Sequence, residues 1–399
     1  MAAKKKDGAE DIFSQMAQDT GAQVVANLDV AKYYIDTGNL AINYCCSGKF
    51  ANGGIPGGRL TEIYGPSASS KSLIGSNILA GVQKLGGIGI ILDTENAING
   101  QFIQQATKCD INKIIRYTPV TLEDCFGTIY RAIEYIRTKK KIDLPVVIVY
   151  DSISVSPSAR ELRETQLPEG YSKADFKRIV GSNEQPGERA KICSKELRKL
   201  NTEMEQNDVT VVILNQIRDK IGVMYGSPET TAAGGQGLPF YASLRIRSQT
   251  QKKIESKIAG SAKKKVLGIN IKIQNKKNRS YRPFVEVDNI PLYFDKGINP
   301  LGGVLGALID AGRIVPQGGG KFLIKPEFCN NEEVSFRSSM DRNDIPLEIA
   351  YKYPLLLDSE SELDIRSYLD PHLEAINYEC DGDVSDVSED DGEIDDLLG

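Results

Sequence analysis

The residues Ile63-Tyr64-Gly65-Pro66-Ser67-Ala68-Ser69-Ser70-Lys71-Ser72 form the most informative stretch of this chain. An apolar, strand-like run enters it, and apolar residues at helical spacing follow it between positions 73 and 85. A strand, a loop and a helix in this order direct backbone N–H groups to the helix N-terminus, where the helix dipole also favours phosphate. The pattern predicts a phosphate-binding loop, in which Lys71 reaches the β- and γ-phosphates and Ser72 supplies a hydroxyl to Mg²⁺.

Ser70 departs from the phosphate-loop pattern G-x-x-x-x-G-K-[ST], which has a second glycine at this position. A positive φ at Ser70 would cost about 1–2 kcal/mol, which a ligand-binding loop tolerates if its surroundings hold it. A serine-rich surface turn that happens to end in Lys-Ser is the alternative for these residues alone. The polar residues further along the chain argue against that alternative.

The composition is that of a soluble globular protein. With 399 residues, of which 40% are hydrophobic and 26% charged, the chain is long enough for a large core and more than one domain. Its longest apolar runs, 144–150 and 209–214, are too short to span a membrane. Polar residues follow the lysines at positions 4–6, so no signal peptide is expected and the predicted location is the cytosol.

Cysteine and histidine usage argues against several classes of site. The seven cysteines are scattered without a C-x-x-C pair, which indicates neither a disulfide framework nor a zinc site. The single histidine, His372, lies in a segment without other metal-ligand types, and we expect it on the surface. Histidine acid–base catalysis and histidine-rich metal sites are therefore not expected.

The net charge of −5 conceals a strongly acidic tail. Residues 379–399 contain ten Asp or Glu and no Lys or Arg, so the rest of the chain carries +5. This arrangement suits a nucleic-acid binder with a solvated regulatory tail. A disordered, solubilising end is an equally good reading of the charge alone.

Strands and helices alternate after the phosphate loop, which predicts a parallel sheet with helices on both faces. The predicted strands 88–92, 146–150 and 209–214 each end in polar residues, which are Asp93-Thr94-Glu95, Asp151-Ser152 and Asn215-Gln216. Ligands of an open α/β sheet bind beyond the carboxyl ends of its strands, and these clusters and the phosphate loop all lie at such ends. The predicted helices are 102–106 and 123–138.

ATP hydrolysis requires the residue types found at these strand ends. It needs a phosphate cradle, a carboxylate that holds a metal, a carboxylate that orients water and a γ-phosphate sensor. Asp151 fits the metal-holding role and Glu95 the water-orienting role. For each carboxylate alone, a strand end or a helix cap is the alternative.

Two irregular segments, 161–187 and 217–236, interrupt this pattern. The second contains cations, paired glycines and hydroxyls, which is typical of a mobile loop that touches phosphates. The first leads into a helix with a series of cations, which are Arg189, Lys191, Lys195, Arg198 and Lys199. A solvated basic helix face is the alternative for these cations.

Together these motifs resemble the RecA/UvsX recombinase family, and the acidic tail and altered phosphate loop point to its bacteriophage branch. The most specific match begins at Asn215-Gln216-Ile217-Arg218, passes through the glycine pair 234–235 and ends at Phe240-Tyr241-Ala242-Ser243. It resembles the family's second DNA-binding loop. The triplet Lys277-Asn278-Arg279 is a supporting match.

The resemblance implies roles for individual residues. Glu95 is implied as the catalytic base, Gln216 as the γ-phosphate sensor, Ser72 as a Mg²⁺ ligand, and Asp151 as a carboxylate of the metal site that acts through the ligands around it. Lys277 and Arg279 match a basic pair that reaches the ATP of a neighbouring subunit. The implied ATP contacts are Gly65, Pro66, Ser67, Ala68, Ser69, Ser70, Lys71 and Ser72, together with Asn99 and Phe102 around the adenine. The implied DNA contacts are Lys191, Ser194, Arg198, Arg218, Lys220, Gly234 and Gly235.

The resemblance also implies an architecture. It is an α/β fold with a RecA-type P-loop ATPase core at 34–295, in which helices flank a mostly parallel sheet. An N-terminal helical arm at 1–33, with an apolar face that includes Ile12, Phe13 and Met16, would serve oligomerisation. A small C-terminal α+β domain at 296–375 and a disordered acidic tail at 376–399 would follow.

The implied function is a DNA-dependent ATPase that forms helical filaments on single-stranded DNA and catalyses homologous pairing and strand exchange, with ATP and Mg²⁺ as cofactors. The implied partners are single- and double-stranded DNA, further copies of the chain, and single-strand-binding and mediator proteins, with no membrane. A phage-encoded protein would act in the host cytoplasm, on the nucleoid. The alternatives are a ring-forming RecA-fold motor, such as a replicative helicase, and a DNA-binding paralogue that has lost hydrolysis.

The acidic tail generates a prediction about duplex DNA. Truncation after Tyr378 should strengthen duplex binding most at low salt and low Mg²⁺, with less effect on single strands, because ten carboxylates then no longer compete with phosphates for the basic body. The measurement is the duplex affinity of both proteins across a salt titration. Superimposable curves would show that the tail does not act on DNA binding.

Overall fold

The computed structural model describes residues 12–17, 19–21, 31–164, 187–219, 229–231, 235, 237–257, 264–339 and 342–377. The chain divides into two compact units between Lys32 and Tyr33. In the first unit, residues 12–17 are helical, as predicted for this part of the arm. The side chains of Ile12, Phe13 and Met16 are 63–64% exposed there. The rest of the predicted apolar face, at 24–28, lies outside the described residues.

The second unit is built around one large sheet, with two smaller sheets beside it. The strands are β1 (Tyr34–Ile35), β2 (Ile55–Pro56), β3 (Leu60–Gly65), β4 (Ile88–Asp93), β5 (Ile114–Tyr117), β6 (Val146–Asp151), β7 (Val209–Asp219), β8 (Glu229–Thr231), β9 (Leu244–Lys257), β10 (Lys264–Asn278), β11 (Glu286–Tyr293), β12 (Gly297–Ile298), β13 (Ile314–Gly318), β14 (Lys321–Ile324) and β15 (Val334–Arg337).

The helices of this unit connect the strands and cover the sheet. They are α1 (Leu40–Ser47), α2 (Lys71–Lys84), α3 (Gly100–Thr107), α4 (Leu122–Ile133), α5 (Ala159–Glu164), α6 (Glu188–Asn207), α7 (Gly237–Tyr241), α8 (Val304–Asp310), α9 (Leu347–Lys352), α10 (Glu362–Leu369) and α11 (Leu373–Ile376). Helix α4 continues as one π-helical turn, Glu134–Lys139, so the predicted helix 123–138 is confirmed in two parts. Within the described ranges, no helix is both long and apolar enough to cross a membrane.

The large sheet has the strand order β12-β11-β10-β9-β3-β7-β6-β4-β5, and β8 pairs with β7 outside this order. The strands from β9 to β5 run parallel to one another, whereas β10, β11 and β12 join in antiparallel fashion. Helices cover both faces. The predicted α/β class, a mostly parallel sheet flanked by helices, is therefore confirmed.

Alternation along the central strands explains why they are apolar throughout. In β6, Val147 and Val149 face a core that also contains the apolar side of α2, whereas Ile148 and Tyr150 face a second core beneath α4 and α6. Both faces of the central strands β3, β7, β6 and β4 are thus largely withdrawn from water, whereas the edge strand β5 is mostly exposed. Polar residues are left at the ends of these strands, where the sheet meets solvent.

Strand β7 extends five residues further than predicted, because Asn215 and Gln216 continue its pairing with β3 and the next three residues pair with β8. Ile217 lies opposite Thr231 and Asp219 opposite Glu229 in an antiparallel register. The β-branched side chains in this pairing favour extended backbone. Residues 217–219 and 229–231 of the predicted irregular segment 217–236 therefore form a β-ribbon, and residues 220–228, 232–234 and 236 lie outside the described part.

The C-terminal part contributes an antiparallel sheet of β13, β14 and β15 with helices α9 to α11. Its apolar residues, among them Phe322 and Leu356, join the same core as Leu40 and Ile74. The predicted domain boundary at 295–296 remains a prediction. Of the predicted disordered tail at 376–399, Ile376 is the last residue of α11, and the residues from 378 onward lie outside the described part.

The expected surface position of His372 is wrong. Its side chain is only 6% exposed, and burial, with a contribution from the nearby charge of Lys84, lowers the pKa of His372 to about 4. It packs beside a polar cluster in which Asp36 accepts hydrogen bonds from the Tyr368 hydroxyl at 2.8 Å and from Lys84 Nζ at 2.7 Å. The expectation rested on the absence of neighbouring ligand types in sequence, which carries no information about burial.

Candidate functional site

The phosphate loop joins the end of β3 to the start of α2, as predicted. Ser70 has a φ of 66° and Ala68 a φ of 56°, so two residues with a Cβ occupy the left-handed region. Strand β9 holds both, because Ser248 Oγ donates to the carbonyl of Ser69 and Thr250 Oγ1 donates to Ala68 O at 3.1 Å. The positive φ considered for Ser70 is confirmed, and contacts of this kind offset its cost of about 1–2 kcal/mol.

Gly65 is the point where the loop comes closest to its neighbours. A Cβ at Gly65 would lie 2.2 Å from the backbone oxygen of Ser248 and 2.6 Å from Ser69 Oγ, so a side chain would displace the loop from β9. On its other side, the parallel register of β3 and β7 places Gly65 opposite Gln216. The predicted γ-phosphate sensor therefore lies directly beside the entry to the phosphate loop.

Lys71 is buried at the first position of α2. Its Nζ donates to Pro66 O at 2.5 Å and to Ser69 Oγ at 3.3 Å. Burial lowers the pKa of Lys71 to about 8, although the carboxylates of Asp151 and Glu95 act to raise it. The ammonium group is thus held inside the loop, where a polyphosphate would compensate its charge.

Asp151 ends β6, and the Ser72 hydroxyl acts on its carboxylate by favouring the charged form. Burial raises the pKa of Asp151 to about 6, and the charges of Glu95 and Asp93 add to this, against the lowering effects of Ser72 and Lys71. Mg²⁺ sites often combine one or two carboxylates with substrate phosphates, and Ser72 and Asp151 fit that donor chemistry. The described residues contain no group of three or more His, Cys, Asp or Glu that would hold a metal by itself.

Glu95 follows β4 and is exposed, with its Oε1 accepting a hydrogen bond from Ser152 Oγ at 2.7 Å. The backbone beneath it is tied to β6, because Thr94 N donates to Asp151 O at 2.8 Å and Ser152 N donates to Thr94 Oγ1 at 2.9 Å. Its charge also acts on Lys71 and Asp151. The sheet therefore brings Lys71, Asp151 and Glu95 together at one edge.

Asn99 and Phe102, predicted at the adenine, begin helix α3. Asn99 is the N-cap residue, and its Oδ1 accepts hydrogen bonds from Gln101 N at 3.1 Å and Phe102 N at 3.2 Å. This contact leaves the amide NH₂ of Asn99 for a ligand. The ring of Phe102 is 37% exposed, so part of its surface is available for stacking.

Lys277 and Arg279 converge on the backbone of α7. Lys277 Nζ donates to Pro239 O at 2.8 Å and to Phe240 O at 2.7 Å, and Arg279 Nη2 donates to Phe240 O at 3.2 Å. Burial lowers the pKa of Lys277 to about 8, helped by the charges of Arg279 and Arg245. Carbonyl oxygens hold both cations in place without neutralising their charge.

The strand register shows where this pair lies relative to the phosphate loop of the same chain. Lys277 of β10 is opposite Arg245 of β9, and Arg245 is opposite Glu62 of β3. Glu62 precedes Gly65 by three residues, which corresponds to about 10 Å along a strand. Arg279 lies beyond the start of β9, so the pair lies toward the amino ends of the parallel strands, whereas the phosphate loop follows the carboxyl end of β3.

Helix α6 presents its predicted DNA contacts away from the second core. Its buried residues are Cys193, Leu197, Leu200 and Met204, whereas Lys191 and Arg198 are exposed and Ser194 is half-buried between them. A Cβ on Gly235 would lie 2.9 Å from Ala190 Cβ, so the end of the segment before α7 contacts this helix. The structure thus brings Lys191, Ser194, Arg198 and Gly235 together. Lys220 and Gly234 lie outside the described residues, and only the backbone of Arg218 is described.

Several polar contacts of the site were not anticipated. Glu62 is fully buried, and it accepts hydrogen bonds from Arg245 Nε at 2.5 Å and from Asn215 Nδ2 at 3.0 Å. Asp93 accepts a hydrogen bond from Arg116 Nη2 at 2.6 Å. Glu62 is the single charged residue of the buried strand β3, and this was a usable signal, because a buried charge needs a partner.

The lowered pKa of Lys71 yields a prediction about stability. Because the folded pKa of about 8 lies below the ordinary value of 10.5, the charged lysine destabilises the fold below pH 8, and this effect disappears as the pH rises from 8 to 10.5. Lys71→Met should therefore raise the unfolding free energy of the nucleotide-free protein by about 1–3 kcal/mol at pH 7, and by less at pH 10. Urea unfolding of both proteins at the two pH values measures this. An equal difference at both pH values would contradict it.

Comparison with known proteins gives the chain a family. The model of the RecA N-terminal domain matches residues 9–299. Protein RecA of Mesomycoplasma hyopneumoniae is 35% identical over 266 residues, which cover 65% of this chain and 70% of that protein. Protein RecA of Ruminococcus albus is 30% identical over 356 residues, or 88% of this chain and 80% of the relative. Protein RecA of Thermus aquaticus is 29% identical over 324 residues, with coverages of 80% and 85%. By its motifs, its fold and these matches, the chain belongs to the RecA family.

Proposed function

We propose that this chain is a DNA-dependent ATPase that assembles into helical filaments on single-stranded DNA and catalyses homologous pairing and strand exchange. The proposal rests on the distance between the phosphate loop and the cationic pair Lys277 and Arg279 within one chain. The phosphate loop is at the carboxyl end of β3, whereas Lys277 and Arg279 lie toward the amino ends of the same parallel strands. Such cations are suited to the ATP of a second copy, and a head-to-tail contact that does not close yields a helical filament.

Within one copy, the residues of the carboxyl edge hold ATP and orient water. The backbone from Gly65 to Ser70 and the Lys71 ammonium bind the phosphates, while Ser72 and Asp151 hold Mg²⁺, which neutralises phosphate charge when bound. Glu95 orients the attacking water and accepts its proton. Gln216 contacts the γ-phosphate and transmits its presence to the ribbon that follows it.

The remaining residues complete the two ligand sites. Asn99 and Phe102 bind the adenine through an amide and a stacked ring. Lys277 and Arg279 stabilise the charge that develops on the phosphates of the neighbouring copy. The DNA backbone is contacted by Lys191, Ser194, Arg198, Arg218, Lys220, Gly234 and Gly235. Backbone contacts of this kind carry no sequence information, as a protein that must accept any sequence requires.

The finer assignment is to the UvsX-type bacteriophage branch, supported by Ser70 in the phosphate loop and by the acidic residues 379–399. A protein of this branch acts in the host cytoplasm, on the nucleoid. Single-strand-binding and mediator proteins are its further partners, since a filament on single-stranded DNA must displace other proteins that coat it. The arm at 1–33 contributes to contacts between copies.

The direct test measures ATP hydrolysis with and without single-stranded DNA, together with electron microscopy of the same samples. We expect DNA-stimulated hydrolysis and helical filaments. Closed rings would favour a motor of the helicase type, and filaments without hydrolysis would favour a DNA-binding paralogue. The absence of both hydrolysis and filaments would contradict the proposal as a whole.

The location of Arg279 gives a sharper prediction. Arg279→Ala should lower DNA-stimulated hydrolysis by about a hundredfold or more while ATP binding by the isolated subunit persists, because the guanidinium stabilises transition-state charge only across an assembled interface. Lys71→Ala should also be inactive, through loss of its own phosphate contact.

Mixing the two inactive variants distinguishes action in trans from action in cis. An interface that combines Arg279 of the Lys71→Ala copy with the intact phosphate loop of the Arg279→Ala copy contains every required group. Hydrolysis should therefore recover in part when the proteins are assembled together on DNA. No recovery in filaments shown to contain both variants would rule out action in trans.

A further inference from the structure

Arg189, in the first turn of α6, connects the helix that carries the predicted DNA contacts to the segment after β6. Its Nη2 donates to Ile153 O at 3.1 Å and to Ser154 O at 3.1 Å. Successive helical residues are 100° apart, so Arg189 and Lys191 point to nearly opposite sides of α6. Arg189 therefore faces the ATPase core, while Lys191 faces solvent.

Two serine hydroxyls continue this connection to Glu95. Ser152 and Ser154 are buried, and their Oγ atoms lie 2.8 Å apart. Ser152 Oγ donates its single proton to Glu95 Oε1 at 2.7 Å. The hydrogen bond between the serines must then be donated by Ser154. Both hydroxyl groups therefore donate in the direction of Glu95: Ser154 donates to Ser152, and Ser152 donates to the Glu95 carboxylate.

The other end of the connection lies at the predicted DNA surface. Ala190, between Arg189 and Lys191, is the residue that Gly235 approaches most closely, at 2.9 Å for a Cβ built on the glycine. A DNA strand held by Lys191 and Gly235 would therefore contact the solvent-facing side of the first turn of α6. On its inner side, the same turn holds the carbonyls of Ile153 and Ser154.

We propose that Arg189 is a positioning residue that couples DNA binding to ATP hydrolysis, by setting the position of Ser154 and Ser152 and, through them, the Glu95 carboxylate. The inference rests on the proposed function, which supplies the two events to be coupled. We call this connection, from Arg189 through Ser154 and Ser152 to Glu95, the relay. Each of its groups keeps its own proton, so the relay acts through the geometry of its hydrogen bonds and requires no proton transfer. Movement of the first turn of α6 displaces the segment 152–154 and so changes how Glu95 is held.

The central test compares Arg189→Ala with the unchanged protein. The ratio of hydrolysis with single-stranded DNA to hydrolysis without it should fall about five- to tenfold, in the range typical of coupling between sites. The affinity for a single-stranded oligonucleotide and the KM for ATP should change by less than about twofold, because Arg189 contacts neither ligand. Arg131→Ala is the matched control, since the guanidinium of Arg131 donates to Thr128 on its own helix α4. It should leave the ratio unchanged.

A double-mutant cycle separates a relay from two independent defects. Ser154→Ala alters the middle of the connection without touching α6 or Glu95, and it should lower the same ratio. The double variant Arg189→Ala/Ser154→Ala should be no worse than the worse single variant, and Arg189→Lys should recover part of the ratio. Ser154→Ala also provides the test if Arg189→Ala fails to fold.

Each outcome decides between the two proposals. A wild-type protein without DNA stimulation would overturn the proposed function and the relay together. A stimulated wild-type protein whose ratio survives in both Arg189→Ala and Ser154→Ala would overturn the relay alone. Multiplicative losses in the double variant would also overturn it, because they would show two separate effects.

Discussion

The parallel hydrogen-bond ladder through β3, β7, β6 and β4 is the constraint on which the site depends. Its register places Gly65 beside Gln216 and Asp93 beside Asp151, although these residues are far apart in sequence. A slip of one residue between neighbouring strands would reverse which side chains face each core. The apolar packing of both faces therefore fixes the register, and the register in turn fixes the spacing of the chemical groups at the carboxyl edge.

Burial at this edge has opposite effects on the two central charges. It lowers the pKa of Lys71 and raises that of Asp151, so both groups are held in surroundings that disfavour their charged forms. In the proposed function, a bound nucleotide and its cation would supply a countercharge to each. The buried charge of Lys71 lowers the stability of the protein without nucleotide. We therefore expect the fold without Lys71 to be more stable and unable to bind phosphates.

Much of the fold and of the site could be predicted from sequence, because local patterns carry both. The alternation of strands and helices, the phosphate loop and the polar residues at strand ends each occupy a short stretch. The positive φ of Ser70 was anticipated because the motif places glycine there. What local patterns could not show is pairing across the chain, such as the buried contact of Glu62 with Arg245, the burial of His372, or the pairing of β7 with β8. The roles of Ser152 and Arg189 depend on contacts of the same long-range kind. The assignments of individual catalytic and DNA-binding residues remain predictions.

Strand β9 has a consequence for the dimensions of an assembly. It anchors the phosphate loop through Ser248 and Thr250, and it pairs with β10, which bears Lys277 and is followed directly by Arg279. The loop of one ATP site and the cations offered to the next are therefore mounted on the same antiparallel ribbon, whose length its hydrogen bonds hold constant. In the proposed filament the paired strands β9 and β10 set a constant distance between these two sites, once in each subunit along the axis. Stretching or compressing such a filament would then require rotation at the contacts between subunits, while the interval within each subunit stays the same.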